Sequence, residues 1–546
     1  MSRNGTILRE KILRVDARDN VAVALEEICA GAEVALADLR LRAVEAIAAK
    51  HKIALEPLAA GAAVTMYGVL VGRARVAIPA GGLLTTANVA HEAAGFSPTR
   101  AGEYPWQAPD VERWRGVRFE GYRRGDGQVG TRNYWLVIPL VFCENRNVDS
   151  LREALEEELG YGQENRHRAL VRRLVHGLRG EAGSAPRKSQ ERVFAQVDGI
   201  RFLTHQGGCG GTREDARALC GLLAGYIHHP NVAGATVLSL GCQNAQPTML
   251  REELERRGER DKPVLMFTQQ DSGTEQTLME RAIAATVAGL EQANAARREP
   301  AALSALTVGL KCGGSDGFSG ITANPAIGHL SDLVVALGGR TILAEFPELC
   351  GVEQELMDRC AKAESAARFA ELMRAYEARA RAVNSGFEMN PSPGNIRDGL
   401  LTDAMKSAGA ARKGGTAPVA DVLDYPEYVR RDGLTLLCTP GNDVEAVTGQ
   451  VGAGATVVLF TTGLGTPTGN PIAPVMKLAT NARLAEHMPD IIDVDTSGIL
   501  RGETTVEQMG ERILTEMIEV ASGRRETCAE RLRQDDFIPW KRGVSL

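Results

Sequence analysis

The sequence lacks the features that mark membrane proteins and nucleic-acid-binding proteins. No apolar segment approaches the roughly 20 residues of a membrane-spanning helix, and residues 1–20 contain no apolar core of a signal peptide. The net charge is only −6 and the basic residues are scattered, so neither a polybasic membrane anchor nor a nucleic-acid-binding surface is indicated. These absences predict a cytoplasmic protein that acts on a small molecule.

Several common cofactor motifs are also missing. No GxGxxG follows a predicted strand and opens a helix, which argues against a nicotinamide-dependent oxidoreductase. The GK[ST] ending of a phosphate-binding P-loop is absent. The 10 cysteines include no CxxC pair and no dense, regular spacing. A disulfide framework is therefore not indicated, and the spacing alone specifies no metal.

The chain is long and has ordinary globular composition. It has 546 residues, of which 44% are hydrophobic and 24% charged, values that favour a multidomain enzyme with a large core. Gly- and Pro-punctuated apolar alternations predict a small β-rich domain, and a proline-containing polar stretch after it predicts a linker. The predicted domains are the β-rich domain over 1–94, the linker over 95–120, a first α/β domain over 121–390 and a C-terminal α/β domain over 391–546.

Apolar runs alternate with helical patterns after residue 121. Predicted strands lie at 135–142, 199–204, 235–240, 263–267, 306–310, 341–345, 434–438 and 456–460. Predicted helices lie at 149–159, 214–227, 275–295, 354–381 and 505–522. This alternation predicts βαβ units, and hence an α/β fold with mainly parallel sheets in two lobes.

Four predicted strands are followed by a cysteine, most of them beside glycines: Cys143, Cys209, Cys242 and Cys312. Ligands of open α/β sheets bind beyond the carboxyl ends of the strands, so these thiols are candidate metal ligands. Thiolates bind Fe or Zn, and four can hold an iron–sulfur cluster. The alternative for each is a buried thiol that behaves as a small hydrophobe.

Two residues are candidates for proton transfer. His205 follows a predicted strand, four residues before Cys209, and a histidine titrates near neutral pH, at about 6.5. Glu348 also follows a predicted strand and can act as a base or as an oxygen ligand. A structural histidine and an exposed surface glutamate are the alternatives.

The loop from Lys311 to Pro325, which leads into a predicted helix near Ala326, is rich in hydroxyl, amide and carboxylate groups. Such a loop can place an anion at the helix N-terminus and bind sugar hydroxyls, although a glycine-rich turn is the alternative. The candidate substrate-binding residues in it are Ser315, Asp316, Ser319, Thr322 and Asn324.

Other candidate substrate-binding residues lie outside this loop. Arg132 and Lys477 are candidates for binding a carboxylate, and Asn133 for binding a hydroxyl. A domain-linking turn held by arginine is the alternative for the Arg132 segment. Polar clusters at 390–397 and 460–471 can supply further hydrogen-bond donors or can be helix caps and turns.

These segments, in this order, resemble the altronate/galactarate dehydratase family. The resemblance covers about residues 121–540, and the segment that begins at Cys312 is its longest and most specific part. The matching segments are 126–133, 205–210, 240–242, 312–325, 391–395, 406–407, 413–415, 460–466, 477–481 and 537–540.

The N-terminal domain resembles the SAF-type (β-clip) domain of these enzymes, with residues 20–24 and 53–61 as the clearest matches. The sequence departs from the family at one place. Many members have a His-x-His-rich strand end near the close of this domain, whereas residues 82–91 here read Gly-Leu-Leu-Thr-Thr-Ala-Asn-Val-Ala-His. A metal-binding or catalytic role of this domain therefore depends on His91 alone.

The resemblance implies a sugar-acid dehydratase, with residues 141–147 most similar to the altronate dehydratases. It implies conversion of D-altronate to 2-dehydro-3-deoxy-D-gluconate, with Fe²⁺ as cofactor. Another divalent metal and an iron–sulfur cluster are the alternative cofactors. The alternative reactions are galactarate dehydration and sulfite loss from sulfolactate. The alternative of another class is a non-catalytic protein that binds sugar acids. The oligomeric state is not predicted, although a homo-oligomer is compatible with the sequence. Our hypothesis is that the loops of the four cysteines hold the iron, with His205 and Glu348 as acid and base.

Overall fold

The computed structural model describes residues 11–37, 39–162, 166–179, 191–258, 262–543 and 545. The first ten residues of the predicted N-terminal domain lie outside this set. The chain divides into two compact units, the first formed by Met1–Glu120 with Pro300–Trp540 and the second by Gly121–Glu299 with Lys541–Leu546. Among the described helices, none is both long enough and apolar enough to cross a bilayer.

Short antiparallel strands form the N-terminal domain, in three small sheets with the orders β1-β2-β5, β3-β4 and β6-β7-β8. Their bounds are β1 Ile12–Leu13, β2 Val21–Ala24, β3 Glu33–Leu36, β4 Leu39–Arg42, β5 Lys52–Ala54, β6 Ala63–Met66, β7 Val69–Ala74 and β8 Val89–Ala90. The eight strands are two to six residues long, and Gly and Pro separate the apolar runs of this domain.

The N-terminal domain packs on the later part of the first unit. Val71 and Met66 share a buried core with Phe318 and Met405. The ammonium of Lys50 lies 3.0 Å from Asp316 Oδ2 and 2.9 Å from Asp398 Oδ1. The domain therefore contacts the polar loop that follows Cys312.

The predicted linker lies against the same unit. The Ser97 amide donates to Gln354 Oε1 at 2.9 Å, Arg100 donates to the Cys360 carbonyl at 2.8 Å, and Tyr104 donates to the Thr416 carbonyl at 2.9 Å. A short helix, α1 (Glu112–Arg115), follows. These contacts hold the segment on the surface of the first unit.

The second unit contains a parallel sheet of four strands with the order β12-β11-β13-β14. Its elements are β9 Arg118–Arg123, β10 Val129–Gly130, β11 Tyr134–Pro139, α2 Asn145–Glu158, α3 Arg166–Arg179, β12 Gly199–Phe202, α4 Arg213–His228, β13 Val232–Ser239, α5 Pro247–Arg256, β14 Val264–Thr268 and α6 Glu275–Ala293. Strand β9 begins at the end of the first unit's N-terminal part and continues into this unit.

The first unit contains a parallel sheet of seven strands with the order β18-β19-β17-β16-β20-β21-β22. All six residues of β16 and of β20 are buried, as expected for strands of a parallel sheet covered by helices. The elements are β15 Arg298–Ala302, β16 Thr307–Cys312, α7 Ala323–Ala336, β17 Arg340–Leu343, α8 Glu353–Asp358, α9 Ala363–Ala382, α10 Pro393–Arg397, α11 Asp403–Ala411, β18 Val419–Leu423, β19 Gly433–Leu437, α12 Asp443–Gly452, β20 Val457–Thr462, β21 Val475–Ala479, α13 Ala482–His487, β22 Val494–Asp495, α14 Val506–Ala521 and α15 Cys528–Arg531.

This architecture confirms the predicted fold class, a small β-rich N-terminal domain followed by α/β regions with mainly parallel sheets. One predicted element differs. The helix predicted at 354–381 is divided into α8 and α9. Between them, the backbone of Cys360 forms an isolated parallel β-bridge with Val419, and the Arg359 guanidinium donates to the Ala417 carbonyl at 2.8 Å. Tertiary pairing here outweighs helical periodicity. The predicted boundary at 390 falls between β17 and β18, two strands of one sheet.

Candidate active site

The carboxyl ends of adjacent strands bring charged side chains together in the first unit. Cys312 is the last residue of β16, Glu345 lies two residues beyond β17, and Asp443 opens α12 after β19. Since β19, β17 and β16 are neighbours in a parallel sheet, these residues meet at one edge, where α/β proteins bind their ligands.

A buried ionic network lies at this edge. The ammonium of Lys311 pairs with Glu345 Oε1 and lies 3.0 Å from Asp443 Oδ1. The ammonium of Lys413 lies 2.8 Å from Glu345 Oε2 and 2.7 Å from the Cys312 sulfur. Lys311 and Glu345 are fully buried and Lys413 is 1% exposed, so Glu345 is compensated by two cations, as buried carboxylates require.

A second pair borders the first. The Lys406 ammonium, on α11, lies 2.8 Å from Glu348 Oε1 and donates to Asn390 Oδ1 at 2.5 Å. The Cys312 thiol donates to Glu348 Oε2 at 3.3 Å. Glu348 is 2% exposed and lies in the short 3₁₀ helix Phe346–Leu349. Both of its oxygens therefore have partners.

Charge and burial fix the protonation states at neutral pH. Burial pushes the pKa of Glu348 upward, but the ammonium groups of Lys406, Lys311 and Lys413 outweigh it and hold that pKa below its usual value. Burial disfavours the charged form of Lys406 as well, yet the Glu348 carboxylate raises its pKa. Burial raises the pKa of the Cys312 thiol to about 12. The expected state is thus a carboxylate, an ammonium and a neutral thiol.

The backbone at this edge is unusual. Glu345 has φ 70° and ψ 61°, in the left-handed region, and its amide donates to Thr439 Oγ1 at 3.0 Å. A Cβ on Gly313 would lie 2.4 Å from Asp443 Oδ1, so only glycine lets the loop after Cys312 pass that carboxylate. Strained backbone of this kind is characteristic of functional sites.

A cavity of about 580 Å³ opens at this edge, with Cys312, Glu348, Lys406 and Asp443 in its wall. Hydroxyl and amide side chains complete the lining: Ser315, Asn390, Ser392, Asn395, Asn442 and Thr468. Of these, Asn395 donates to the Ser315 carbonyl at 2.8 Å, and Ser392 is the N-cap of α10, with Asn395 as its capping-box partner. The cavity therefore combines two carboxylates, an ammonium and groups that can hydrogen-bond a polyhydroxy molecule.

The same edge contains a possible metal-ligand group. Cys312, Glu345 and Glu348 each offer one ligand atom, and these atoms lie within 4.8 Å of one another; within the described ranges no other such group of three was found. One sulfur and two carboxylate oxygens fit a divalent transition metal. Each donor also contacts a lysine or the thiol, so a bound cation would share its ligands with the ammonium groups of Lys311, Lys406 and Lys413.

The substrate-binding residues predicted after Cys312 are all buried in this region, and Ser315 lines the cavity. Asp316 accepts hydrogen bonds from Thr480 at 2.9 Å, Asn481 at 3.0 Å and Ser319 at 3.0 Å. These contacts hold the loop in shape.

Thr322 and Asn324 lie at the start of α7 and are also engaged within the protein. Thr322 donates to the Phe318 and Thr480 carbonyls, both at 3.0 Å. Asn324 donates to the Gly409 carbonyl at 3.0 Å and accepts from Thr461 at 2.6 Å. Their predicted contact with substrate stays a prediction.

Lys477, the predicted carboxylate ligand on β21, is fully buried. Its ammonium donates to Gln534 Oε1, and burial lowers its pKa to about 8. His91, at the end of the N-terminal domain, lines a different cavity of about 610 Å³ together with Cys350 and Glu353. Its Nδ1 is buried and has no hydrogen-bond partner among the described residues, and burial lowers its pKa.

The remaining predicted residues lie in the second unit. His205 is 5% exposed, its Nε2 donates to the Pro139 carbonyl at 2.7 Å, and its Nδ1 accepts from the Gly207 amide at 3.1 Å. Burial lowers the His205 pKa to about 4, so the ring is neutral at pH 7. The Arg132 guanidinium donates to the Thr131 carbonyl at 2.7 Å, and the Asn133 amide donates to the Gln196 carbonyl at 2.8 Å.

The four predicted metal-binding cysteines divide between the units. Cys312 is buried in the first, whereas Cys143, Cys209 and Cys242 are exposed free thiols of the second. The prediction from sequence missed Lys311, Glu345, Lys406, Lys413 and Asp443. A lysine inside an otherwise apolar strand was the signal available for Lys311, since an unpaired buried lysine is costly.

Three family models match the chain in sequence order. The altronate/galactarate dehydratase SAF domain matches residues 10–92, the second domain of D-galactarate dehydratase/altronate hydrolase matches residues 121–294, and the C-terminal domain of D-galactarate/altronate dehydratase matches residues 303–545. Altronate dehydratase of Escherichia coli is 33% identical over 98% of this chain and 99% of the relative. The chain belongs to the altronate/galactarate dehydratase family.

Other family members are almost as similar. Altronate dehydratase of Bacillus subtilis is 32% identical over 94% of this chain and 96% of the relative. Galactarate dehydratase (L-threo-forming) of Escherichia coli is 30% identical over 95% of this chain and 94% of the relative. The resemblance predicted from the motifs is thus confirmed over nearly the whole length.

Proposed function

We propose that this chain is a hydro-lyase that removes water from a sugar acid, with D-altronate the first candidate substrate and 2-dehydro-3-deoxy-D-gluconate the product. The observation that carries the proposal is the Glu348–Lys406 pair in the wall of a polar cavity. The names of the altronate dehydratase relatives support altronate, and the galactarate dehydratase relative supports galactarate as the second candidate.

The reaction sets two chemical demands. The proton on C2 of a 2,3-dihydroxy acid is weakly acidic, and the C3 hydroxyl is a poor leaving group. Loss of both as water leaves an enol that tautomerises to the 2-keto acid. The site must therefore supply a base for C2, a proton for the departing hydroxyl, and positive charge beside the carboxylate where negative charge develops.

Glu348 is the proposed base. Its pKa is held below the usual value by neighbouring ammonium groups, of which Lys406 has the largest effect, so it is ionised at neutral pH. A low pKa weakens a base, but the same ammonium groups stabilise negative charge on the substrate when the proton leaves C2. Lys406, which borders the cavity, is the proposed proton donor to the C3 hydroxyl.

The polar lining is proposed to hold the rest of the substrate. Ser315, Asn390 and Thr468 present hydroxyl and amide groups to the cavity and can bind the hydroxyls of an aldonate chain. The Lys406 ammonium can also pair with the substrate carboxylate. A pocket that hydrogen-bonds several hydroxyls discriminates between stereoisomers, because a misplaced hydroxyl leaves buried polar groups unpaired.

Fe²⁺ is the proposed cofactor, and Cys312, Glu345 and one oxygen of Glu348 are the groups that would hold it, which leaves the other Glu348 oxygen to act as the base. When bound, it would supply a Lewis acid that polarises the substrate carboxylate. The roles predicted from sequence for His205, Arg132, Asn133 and Lys477 stay predictions, as does the cytoplasmic location.

The test is a substrate panel. Anaerobically purified protein, with and without added Fe²⁺, is incubated with D-altronate, other aldonates and galactarate, and 2-keto-3-deoxy acids are measured. We expect turnover of one aldonate well above the others. Stabilisation by altronate without product would contradict the dehydratase and support a binding protein. Glu348→Gln is the matched inactive variant.

A further inference from the structure

Three exposed thiols lie at one edge of the second unit. Cys143 follows β11, Cys209 follows β12 and Cys242 follows β13, and these three strands are neighbours in the parallel sheet. All three side chains are free and exposed. Free cysteine is among the most buried residue types, so three exposed thiols beyond adjacent strand ends need an explanation other than packing.

The loops that carry these cysteines contact one another. The Phe142 amide, next to Cys143, donates to the Gly207 carbonyl at 3.1 Å, and the Ala245 amide donates to the Gly208 carbonyl at 3.0 Å. The loop of Cys209 thus bonds to the loop of Cys143 on one side and to that of Cys242 on the other. The three thiols are thereby presented by one connected backbone.

Glycine makes this approach possible. Gly208 has φ +95°, and a Cβ there would lie 2.1 Å from the Leu140 carbonyl oxygen and 2.7 Å from Val141 Cα. No side chain fits in that space. The chain therefore keeps a conformationally permissive residue immediately before Cys209, where the backbones of two cysteine loops touch.

We propose that Cys143, Cys209 and Cys242 bind an iron–sulfur cluster within the second unit. Thiolates are the usual ligands of such clusters, and binding would displace the three thiol protons. A single metal ion fits less well. Among the described residues these thiols belong to no set of three ligand atoms within 4.8 Å, whereas a cluster places its ligands around several irons rather than one.

The number of thiols adds a chemical consequence. In a four-iron cluster each iron takes one protein ligand, usually a thiolate. Three protein thiolates would therefore leave one iron open to an oxygen ligand such as a hydroxyl or a carboxylate. A polyhydroxy acid carries both groups. The ligand class that this site would take beyond the cluster is thus an oxyanion of the kind proposed as substrate, but cluster binding itself does not rest on the proposed function.

The test uses full-length protein, purified anaerobically and reconstituted with ferric iron, sulfide and a thiol reductant, which together supply the mixed ferrous and ferric iron of the cluster. Iron, acid-labile sulfide, visible absorption and the electron paramagnetic resonance of the reduced protein are measured. We expect about four acid-labile sulfides per chain, a count that does not include the separate Fe²⁺ proposed at Cys312, Glu345 and Glu348, and loss of most of this sulfide in Cys143→Ser, Cys209→Ser and Cys242→Ser. Cys29→Ser, which changes another exposed cysteine, and Cys312→Ser should keep the cluster.

Alkylation of the unsubstituted protein tests the same proposal without relying on the folding of the cysteine variants. Before reconstitution iodoacetamide should label Cys29, Cys143, Cys209 and Cys242; afterwards only the label on Cys29 should persist. Acid-labile sulfide absent after reconstitution, zinc bound in place of iron and sulfide, or equal labelling before and after would each overturn the proposal. Dehydratase activity in a protein without sulfide would leave the proposed function standing while the cluster fails.

Discussion

The Lys406 ammonium lies 2.8 Å from Glu348 Oε1, and both side chains lie in the wall of the polar cavity. The two residues come from different elements, since Lys406 is on α11 and Glu348 is in the 3₁₀ helix after β17. The pairing determines the charge of both groups, because each lies where burial alone would favour its neutral form. A carboxylate and an ammonium in contact are suited to remove one proton and supply another.

Glu348→Gln tests the assignment of the base. The amide keeps the shape but cannot accept the C2 proton, so we expect kcat to fall by about 10²–10⁴-fold. The rate of 2-keto-3-deoxy acid formation measures this. Glu92→Gln, which removes an exposed glutamate paired with Arg73, is the control and should keep normal turnover. A Glu348→Gln enzyme within threefold of the unsubstituted rate would assign the base elsewhere.

The pH dependence of turnover follows from the same pair. The Glu348 pKa is lowered, with Lys406 the largest of the cations acting against burial, so the acid limb of the kcat profile should lie below the usual carboxyl range. The Lys406 pKa is raised by Glu348 against the effect of burial, so the alkaline limb should lie above the usual lysine range. The profile should therefore be flat through neutral pH. Lys406→Met lacks the proposed proton donor and should be slow, and in its residual activity the acid limb should move upward, because Glu348 loses its largest stabilising charge.

The sequence predicted the strand ends but not the network that they build. Cys312 was identified because an apolar run ends beside a glycine-rich loop, a local signal. Lys413 contacts Cys312 from 101 residues away, and nothing in its own segment indicates a thiol partner. Glu345 was passed over in favour of Glu348, although it is Glu345 that sits between two buried lysines. Contacts between distant segments depend on strand order, and one sequence does not reveal that order.

The Glu345–Lys413 pair permits a stability test. Lys413→Met would leave the buried carboxylate with Lys311 as its remaining partner, and breaking a buried pair costs about 3–5 kcal/mol. We expect a clear loss of thermal stability. The double variant Lys413→Met with Glu345→Gln should recover part of it, because the uncompensated charge is then removed. Losses that simply add in the double variant would mean that the two groups do not interact.

His205→Gln tests whether the buried ring stabilises the second unit in a pH-dependent way. The ordinary pKa of 6.5 is lowered to about 4 by burial, against a hydrogen bond to Pro139. The unfolded chain therefore binds a proton between these pH values while the folded chain does not, so this stability is present above pH 6.5 and is lost as the pH falls toward 4. At 1.36 kcal/mol per pKa unit the loss is on the order of 3 kcal/mol. Hydrogen exchange of the second unit at pH 7 and 4.5 measures it, since a two-unit chain need not unfold in one step.

Glutamine can donate to the Pro139 carbonyl as His205 Nε2 does, but it does not titrate. The His205→Gln protein should consequently lose less protection on acidification than the unsubstituted protein. His487→Gln, which changes an exposed histidine on α13, is the matched control. It should lose as much exchange protection between pH 7 and 4.5 as the unsubstituted protein. Equal acid sensitivity in the unsubstituted and His205→Gln proteins would mean that the acid-labile groups of this unit lie elsewhere.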